Sequence, residues 1–137
     1  MSRLSSNAPC PCGSGRKAKG CCGPLLAGAP APTPEALMRS RYTAYALGAV
    51  AHLQRTTHPD SPQRRADARA WAEELRDYCA AVRFTGLEVR GAGADRVQFV
   101  AHLTHAGLAR VIAEDSRFVE VDGRWTYLDG VPLGDPP

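Results

Sequence analysis

The sequence contains no long apolar run, although 44% of its 137 residues are hydrophobic. No stretch approaches the roughly 18 apolar residues that a membrane span requires. The N-terminus also lacks the apolar block of a secretory signal peptide. We therefore expect a cytoplasmic protein that does not enter a membrane. The length suits a compact fold that buries a core.

Familiar catalytic motifs are also missing from the sequence. It has no Ser-His-Asp catalytic-triad motif and no glycine-rich dinucleotide-binding motif. Gly13-Ser14-Gly15 is not a phosphate loop, because the preceding strand and the Gly-Lys-Ser/Thr ending are both absent. Any activity must therefore be argued from residues that the fold brings together.

Acidic residues are absent from positions 1–23, which instead hold four basic residues and most of the cysteines. These cysteines are Cys10, Cys12, Cys21 and Cys22. A thiol cluster in a cytosolic protein indicates a metal site before it indicates disulfides. Four thiolates suit one tetrahedral Zn²⁺ and leave no coordination position open, so we assign this ion a structural role. A redox or disulfide cluster and an iron–sulfur site are the alternatives.

The residues around these cysteines fit the same interpretation. Gly13 and Gly15 permit a tight turn with positive φ angles. Arg16, Lys17 and Lys19 would offset the formal charge of about −2 carried by four thiolates and one Zn²⁺. This charge compensation weakens the case that the basic residues form a nucleic-acid-binding arm. A segment this small has almost no core, so its folding should depend on the metal.

Proline content separates the cysteine segment from a larger body. Residues 24–34 contain four prolines and no charge, so we expect them to run extended as a semi-rigid spacer. We predict a metal-binding module over residues 1–23, a linker over 24–32 and an α+β domain over 33–137. In that domain Cys79 is expected to be a buried, inert thiol.

The body begins with helical patterns. Thr33 precedes a proline and can cap a helix, with a break predicted near Gly48 and an end before Pro59. Ser61 repeats this pattern and predicts a third helix over 62–79. A period of two then predicts four strands in an antiparallel meander. The helices should cover one face of a curved four-stranded sheet.

The predicted strand register places polar groups on the apolar, helix-covered face. If Asp122-Gly123 forms a two-residue turn, Ser116 faces Asp129 across the ladder. The polar residues on this face are Glu114, Ser116 and Asp129. A covered carboxylate is costly unless it is paired. We therefore expect Arg39 and Arg41 to be the partners of the two acids.

These residues define a predicted pocket. Its wall is expected to contain Arg39, Arg41, Tyr42, Trp71, Ser116, Trp125 and Tyr127, and the candidate catalytic groups are Glu114, Asp129 and His58. We favour a buried Arg-carboxylate network over a ligand pocket, and a ligand pocket over a catalytic site with a carboxylate base. His58 is expected to end a helix by hydrogen bonding, and His52 to point outward.

The cysteine segment resembles a known zinc-binding motif. Cys10-Pro11-Cys12-Gly13-Ser14-Gly15, the basic stretch and Cys21-Cys22-Gly23 are similar to the SEC-C motif, found at the tail of a bacterial translocase ATPase. That resemblance implies contact with a protein or with the ribosome. Members usually carry an aromatic residue where this sequence has Ala18.

The body resembles the YchJ-like proteins. The matching segments are Met38-Arg39-Ser40-Arg41-Tyr42, Thr57-His58-Pro59, Ser116-Arg117-Phe118 and Gly123-Arg124-Trp125. This resemblance implies a cone-shaped α+β domain like that of nuclear transport factor two (NTF2), placed after a SEC-C motif. The resemblance indicates the architecture of the domain more closely than its activity.

Our leading functional hypothesis is a zinc-containing cytoplasmic adaptor that contacts a protein or the ribosome. The competing hypothesis is a small-molecule-binding protein, or an enzyme of lyase or isomerase type, that uses carboxylates in the cone cavity. Nucleic-acid binding through the basic residues is a third and less favoured reading. Homodimerisation through the sheet is also expected.

Overall fold

The computed structural model describes residues 4–133 of the chain. Residues 1–3 and 134–137, which belong to the first and last predicted segments, lie outside this range. The helices are α1 (Cys22–Leu26), α2 (Pro34–Leu47), α3 (Val50–Arg55) and α4 (Ala68–Ala81), with a short 3-10 helix at Ala18–Gly20. The strands are β1 (Val82–Ala92), β2 (Arg96–His105), β3 (Leu108–Val121) and β4 (Arg124–Pro132).

The four strands form one open antiparallel sheet in the order β1-β2-β3-β4. The helices precede the sheet in sequence, and α2 packs across β1, β2 and β4. The predicted α+β fold is confirmed. No helix in residues 4–133 combines the length and the apolar character of a membrane span.

The predicted hairpin turn at Asp122-Gly123 is present. Asp122 has a φ of 53° and Gly123 a φ of 77°, values that a tight two-residue hairpin turn requires. The predicted pairing of Phe118 with Tyr127 is confirmed. The register shifts between Arg117 and Phe118, however, because a bulge inserts one residue, Leu128, into β4.

This bulge overturns the predicted position of Asp129. Ser116 pairs with Gly130, and Asp129 pairs with Arg117 on the opposite face of the sheet. The Asp129 carboxylate accepts hydrogen bonds of 3.1 Å from Nε and 2.7 Å from Nη2 of Arg117. Asp129 is thus an exposed ion-pair partner outside the covered face.

Helix α2 begins and ends where the sequence predicts. The Ala36 N–H donates to Oγ1 of Thr33 over 3.1 Å, and the helix ends at Gly48, whose φ is 76°. Helix α4, by contrast, begins at Ala68 and not at residue 62. The carboxylate of Asp67 accepts two backbone N–H groups there, which makes it a better cap than Ser61.

The predicted extended linker is partly helical. Pro24 lies in the first turn of α1, where a missing backbone N–H breaks no intrahelical bond. Arg55 donates to the carbonyl of Leu26 over 2.9 Å, and Arg124 donates to that of Gly28 over 3.0 Å. The segment is therefore attached to the body along its length.

The hydrophobic core joins the cysteine segment to the body. One cluster contains Cys10, Cys12, Ala18 and Cys22 together with Tyr42 of α2 and Ala101 of β2, and Phe84, Leu87, Phe99 and Ile112 pack against it. A second cluster contains Leu37, Met38, Val97, Phe118 and Tyr127. The cysteines thus lie over α2 and the inner face of the sheet.

Candidate metal centre and cavity

Four cysteine sulfurs converge at the junction between the N-terminal segment and α2. The Sγ atoms of Cys10, Cys12, Cys21 and Cys22 all lie within 4.8 Å of one another. The Sγ atom of Cys21 is 3.5 Å from that of Cys12 and 4.0 Å from that of Cys22. These separations bracket the edge of about 3.8 Å expected for a tetrahedron of sulfurs about 2.3 Å from one ion. They exceed the disulfide bond length of about 2.05 Å.

The backbone around the cluster folds as a tight hairpin. Gly13 and Gly15 adopt φ angles of 76° and 86°, as predicted. The Gly13 N–H donates to the Cys10 carbonyl over 3.1 Å, and the Cys10 N–H donates to Arg16 over 2.9 Å. These bonds hold Cys10 and Cys12 on one side of the turn.

Helix α2 supplies hydrogen-bond donors to the sulfurs. The buried Thr43 hydroxyl donates to Cys22 Sγ over 3.3 Å and lies 3.9 Å from Cys10 Sγ. Nη1 of Arg39 donates to the Cys12 carbonyl over 3.0 Å and lies 3.9 Å from its sulfur. Arg39 and Thr43 are one turn apart and therefore share the face of α2 that contacts the cluster.

The N-terminal segment provides further donors at the exposed side of the cluster. The Ser14 hydroxyl lies 3.1 Å from Cys21 Sγ, and Nη2 of Arg16 lies 3.8 Å from the same sulfur. A hydrogen bond from Cys22 lowers the pKa of Cys12 to about 4 and raises the pKa of Cys22 itself. Burial also raises the pKa of Cys21, so in the metal-free cluster the surroundings favour negative charge on Cys12.

A separate cavity of about 380 Å³ lies between the helices and the inner face of the sheet. Its volume is within the range of small-molecule sites. Its lining is mostly aromatic or aliphatic and includes Met38, Tyr42, Tyr45, Leu53, Trp71, Leu75, Tyr78, Phe84, Phe99, Ile112, Phe118 and Tyr127. Arg41, Glu114 and Ser116 bring polar groups to the same wall.

Glu114 has hydroxyl partners in place of the arginine that we expected. Its Oε1 accepts hydrogen bonds of 2.8 Å from Ser116 and 2.8 Å from Tyr127. Within residues 4–133 no Lys, Arg or His forms an ion pair with it. Gly130 makes room for this carboxylate, because a Cβ there would lie only 2.6 Å from Cγ of Glu114.

Arg41 is buried at the same wall and holds the end of α3. Its Nη1 donates to the Leu53 carbonyl and to the hydroxyls of Thr56 and Thr57, at 3.1, 2.8 and 3.2 Å. Its guanidinium carbon lies 4.9 Å from the centre of the Tyr127 ring. Burial lowers the pKa of Arg41, whereas the nearby tyrosines and Glu114 favour its charged form.

The cavity contains part of the predicted pocket. Arg41, Tyr42, Trp71, Glu114, Ser116 and Tyr127 line it. Arg39 does not, since it contacts the cysteine cluster and pairs with Glu35 over 2.9 Å. Trp125 packs instead against the core cluster around Leu37 and Phe118.

Two histidines also differ from their predicted roles. His58 lies in a turn beyond α3, outside the cavity lining, where its Nδ1 accepts the Asp60 N–H over 2.9 Å. His52 is buried and not outward-facing. Its Nε2 lies 2.9 Å from Ser40 Oγ, which donates to the Leu37 carbonyl, and its Nδ1 lies 3.0 Å from Arg55. These contacts assign the proton to Nε2.

Burial keeps His52 neutral. Desolvation, followed by the charges of Arg55 and Arg41, lowers its pKa to about 3. The Ser40-His52 pair has no carboxylate partner within the described chain and is sealed from solvent. It therefore stabilises the contact between α2 and α3.

Comparison with known families identifies both parts of the chain. Residues 7–24 match the profile of the SEC-C motif, and residues 33–130 match that described as the YchJ, middle NTF2-like domain. The chain belongs to the YchJ-like family. The predicted resemblance is confirmed for both segments, and the SEC-C match includes all four clustered cysteines.

Two bacterial relatives of this YchJ-like chain are UPF0225 proteins. The relative from Deinococcus radiodurans is 47% identical over 123 residues, which cover 88% of this chain and 87% of the relative. The relative from Chromobacterium violaceum is 42% identical over 139 residues, which cover 95% of this chain and 97% of the relative.

Two solved structures share the YchJ-like architecture. The solution structure of a SEC-C motif-containing protein from Rhodopseudomonas palustris has a TM-score of 0.78 and 34% identity, and the match covers 93% of this chain and all of the other. The crystal structure of a SEC-C motif-containing protein from Psychrobacter arcticus has a TM-score of 0.71 and 20% identity. The match covers 98% of this chain and 88% of the other. The second supports the fold alone.

Proposed function

We propose that the four cysteines hold one structural Zn²⁺. The observation that carries this proposal is the convergence of the four Sγ atoms within 4.8 Å, in a segment that matches the SEC-C motif. Soft thiolate ligands in a tetrahedral arrangement favour zinc. Four protein sulfurs leave no position for a substrate or an activated water, so the ion would stabilise the fold.

The surroundings of the cluster support this assignment. Arg39 and Thr43 act from α2, whereas Ser14 and Arg16 act from the N-terminal segment. Such donors orient metal ligands and offset the negative charge of a tetrathiolate site. All five cysteines are free, which suits a reducing compartment such as the cytoplasm.

We propose further that the protein is an adaptor, in which the metal-bound segment contacts a protein or the ribosome. Arg16, Lys17 and Lys19 project from this segment and are exposed, whereas Ala18 between them is buried. A basic surface of this kind fits an acidic partner. The expected homodimer stays a prediction, which light scattering on the purified protein would test.

Affinity capture combined with elemental analysis tests the adaptor. The intact protein should carry one zinc per chain and retain a partner. Replacing both Cys21 and Cys22 with serine should abolish both properties. Cys79→Ser provides the matched control, because Cys79 lies on α4, outside the cluster. Partner capture that survives loss of the metal would contradict the proposed role of the segment.

The cavity supports a second candidate function, the binding of a small molecule. The specific observation is that Glu114 faces a cavity of about 380 Å³ without an ion-pair partner in the described chain. A carboxylate in an apolar site can also accept a proton, so an enzyme of lyase or isomerase type would use Glu114. Asp129 and His58 lie outside this cavity and are not part of that proposal.

A further inference from the structure

Two cavity groups of opposite charge, Arg41 and Glu114, lie beside the ring of Tyr127. The other two charged lining residues, Arg65 and Glu74, are exposed and pair with each other over 3.4 Å. Tyr127 lies under the guanidinium of Arg41, 4.9 Å from its carbon, and donates its hydroxyl to Glu114 over 2.8 Å. Arg41 and Glu114 therefore occupy the same end of the cavity. The remaining wall is largely apolar, so this end supplies most of the directional contacts for a bound molecule.

Both groups keep unused hydrogen-bonding capacity. The hydrogen bonds of Arg41 to Leu53, Thr56 and Thr57 all use Nη1, with Tyr45 as a further polar neighbour, and those of Glu114 all use Oε1. No fully buried side-chain nitrogen or oxygen in this range lacks a partner. Oε2 of Glu114 and the remaining guanidinium nitrogens of Arg41 therefore keep some accessible surface at the cavity wall. Donors and an acceptor thus face the same space.

The opposite charges determine what this end can accept. A ligand carboxylate would bond to Arg41 but would be repelled by Glu114, and a ligand ammonium would meet the reverse situation. Either charged ligand would also lose its hydration in a mostly apolar site. A neutral group that carries both an acceptor and an N–H or O–H donor satisfies both residues. An amide that accepts one hydrogen bond and donates another can bridge two protein atoms up to about 8 Å apart.

We propose that the cavity binds a flat, neutral, mostly apolar molecule whose polar end is a carboxamide or a similar paired acceptor and donor. Arg41 donates to the ligand carbonyl, and Glu114 accepts from the ligand N–H. The aromatic wall, which includes Trp71, Phe84 and Phe99, packs on the ring system. This inference rests on the second candidate function, in which the cavity is a binding site.

Three naphthalene probes of similar size test the proposal by isothermal titration calorimetry: 2-naphthamide, 2-naphthoate and 2-naphthylmethylammonium. The amide should bind to the intact protein at least about ten-fold more tightly than either charged probe. Glu114→Gln keeps an oxygen that can accept from Ser116 and Tyr127 but removes the charge. It should strengthen naphthoate binding about ten-fold and weaken naphthamide binding, because an NH2 donor would replace the oxygen that accepts from the ligand N–H.

Glu120→Gln is the matched control, because Glu120 lies on the same strand, is exposed and does not line the cavity. It should leave the order of the three probes unchanged. A charged probe that binds the intact protein as tightly as the amide would overturn the inference, and so would equal effects of the two substitutions. If no probe binds, the second candidate function fails as well, whereas uptake without selectivity contradicts only the inference.

Discussion

At the residue scale, small side chains determine how closely the cysteine segment can pack. A Cβ at Gly23 would lie 2.8 Å from the backbone oxygen of Ala18 and 3.3 Å from its carbonyl carbon. Backbone atoms cannot rotate away from such an overlap. Gly23 immediately follows Cys22, so any displacement would also move a proposed metal ligand.

Gly23→Ala should therefore destabilise the protein by about 1–3 kcal/mol, the usual cost of overpacking. Urea unfolding with the metal bound measures this difference. Gly20→Ala is the control, because nothing lies within 4 Å of the added methyl and the φ of Gly20 is not positive. Equal stabilities of the two variants would show that Gly23 is not in close contact with Ala18.

At the scale of elements, α2 serves the metal cluster and the cavity from different faces. Arg39 and Thr43 contact the cysteines, whereas Met38, Arg41 and Tyr42 line the cavity. The helical period of 3.6 residues separates the two sets. The spacing of Thr43, four residues after Arg39, could have indicated that both side chains lie on one face of α2. No local feature of the sequence indicates that the cysteines pack against this helix.

Thr43→Val removes the hydroxyl that donates to Cys22 while keeping the size of the side chain. Loss of one such outer contact typically weakens metal binding about 10–100-fold. Competition with a chromophoric chelator measures the change. Thr43→Ser, which retains the hydroxyl, should bind the metal nearly as well as the intact protein. Equal affinities of the valine and serine variants would exclude this role for Thr43.

Helix α3 contributes an acid-sensitive contact through His52. The pKa of His52 is about 3 in the folded protein and about 6.5 in the unfolded chain. Between these values the unfolded state binds more protons, so acidification through this window lowers stability, and above pH 6.5 the effect disappears. His52→Gln keeps a donor for Ser40 and an acceptor for Arg55 without titrating.

The intact protein should therefore lose about 2 kcal/mol more than His52→Gln between pH 7 and pH 5. Urea unfolding of both proteins at the two pH values measures this difference. Acid also affects the cysteine cluster, but it does so equally in both proteins. Parallel losses of stability would show that His52 titrates in the folded protein as it does in the unfolded chain.

Element types followed from the sequence more reliably than their registers. The turn at Asp122-Gly123 and the helix end at Gly48 were predictable, because both depend on residues adjacent in the chain. The bulge at Leu128 was not, since it depends on pairing across strands and reverses the face of Asp129. The burial of His52 likewise depends on Ser40, twelve residues away on another helix.

At the scale of the whole molecule, the cysteine segment and the body share one core and one set of hydrogen bonds. The buried cysteines pack with Tyr42 and Ala101, and Arg39 bonds to the backbone of Cys12. The metal would therefore stabilise the junction with α2 as well as the short segment itself. The proposed adaptor surface and the cavity consequently belong to a single folded unit.

In the proposed metal site, four sulfurs of this chain hold one zinc ion. X-ray absorption at the zinc edge on the purified full-length protein tests it most directly, because the method counts and identifies the atoms bound to the metal. We predict four sulfur neighbours at about 2.3 Å and no nitrogen or oxygen in the first coordination shell. A shell that contains nitrogen or oxygen, or a protein without stoichiometric zinc, would contradict it.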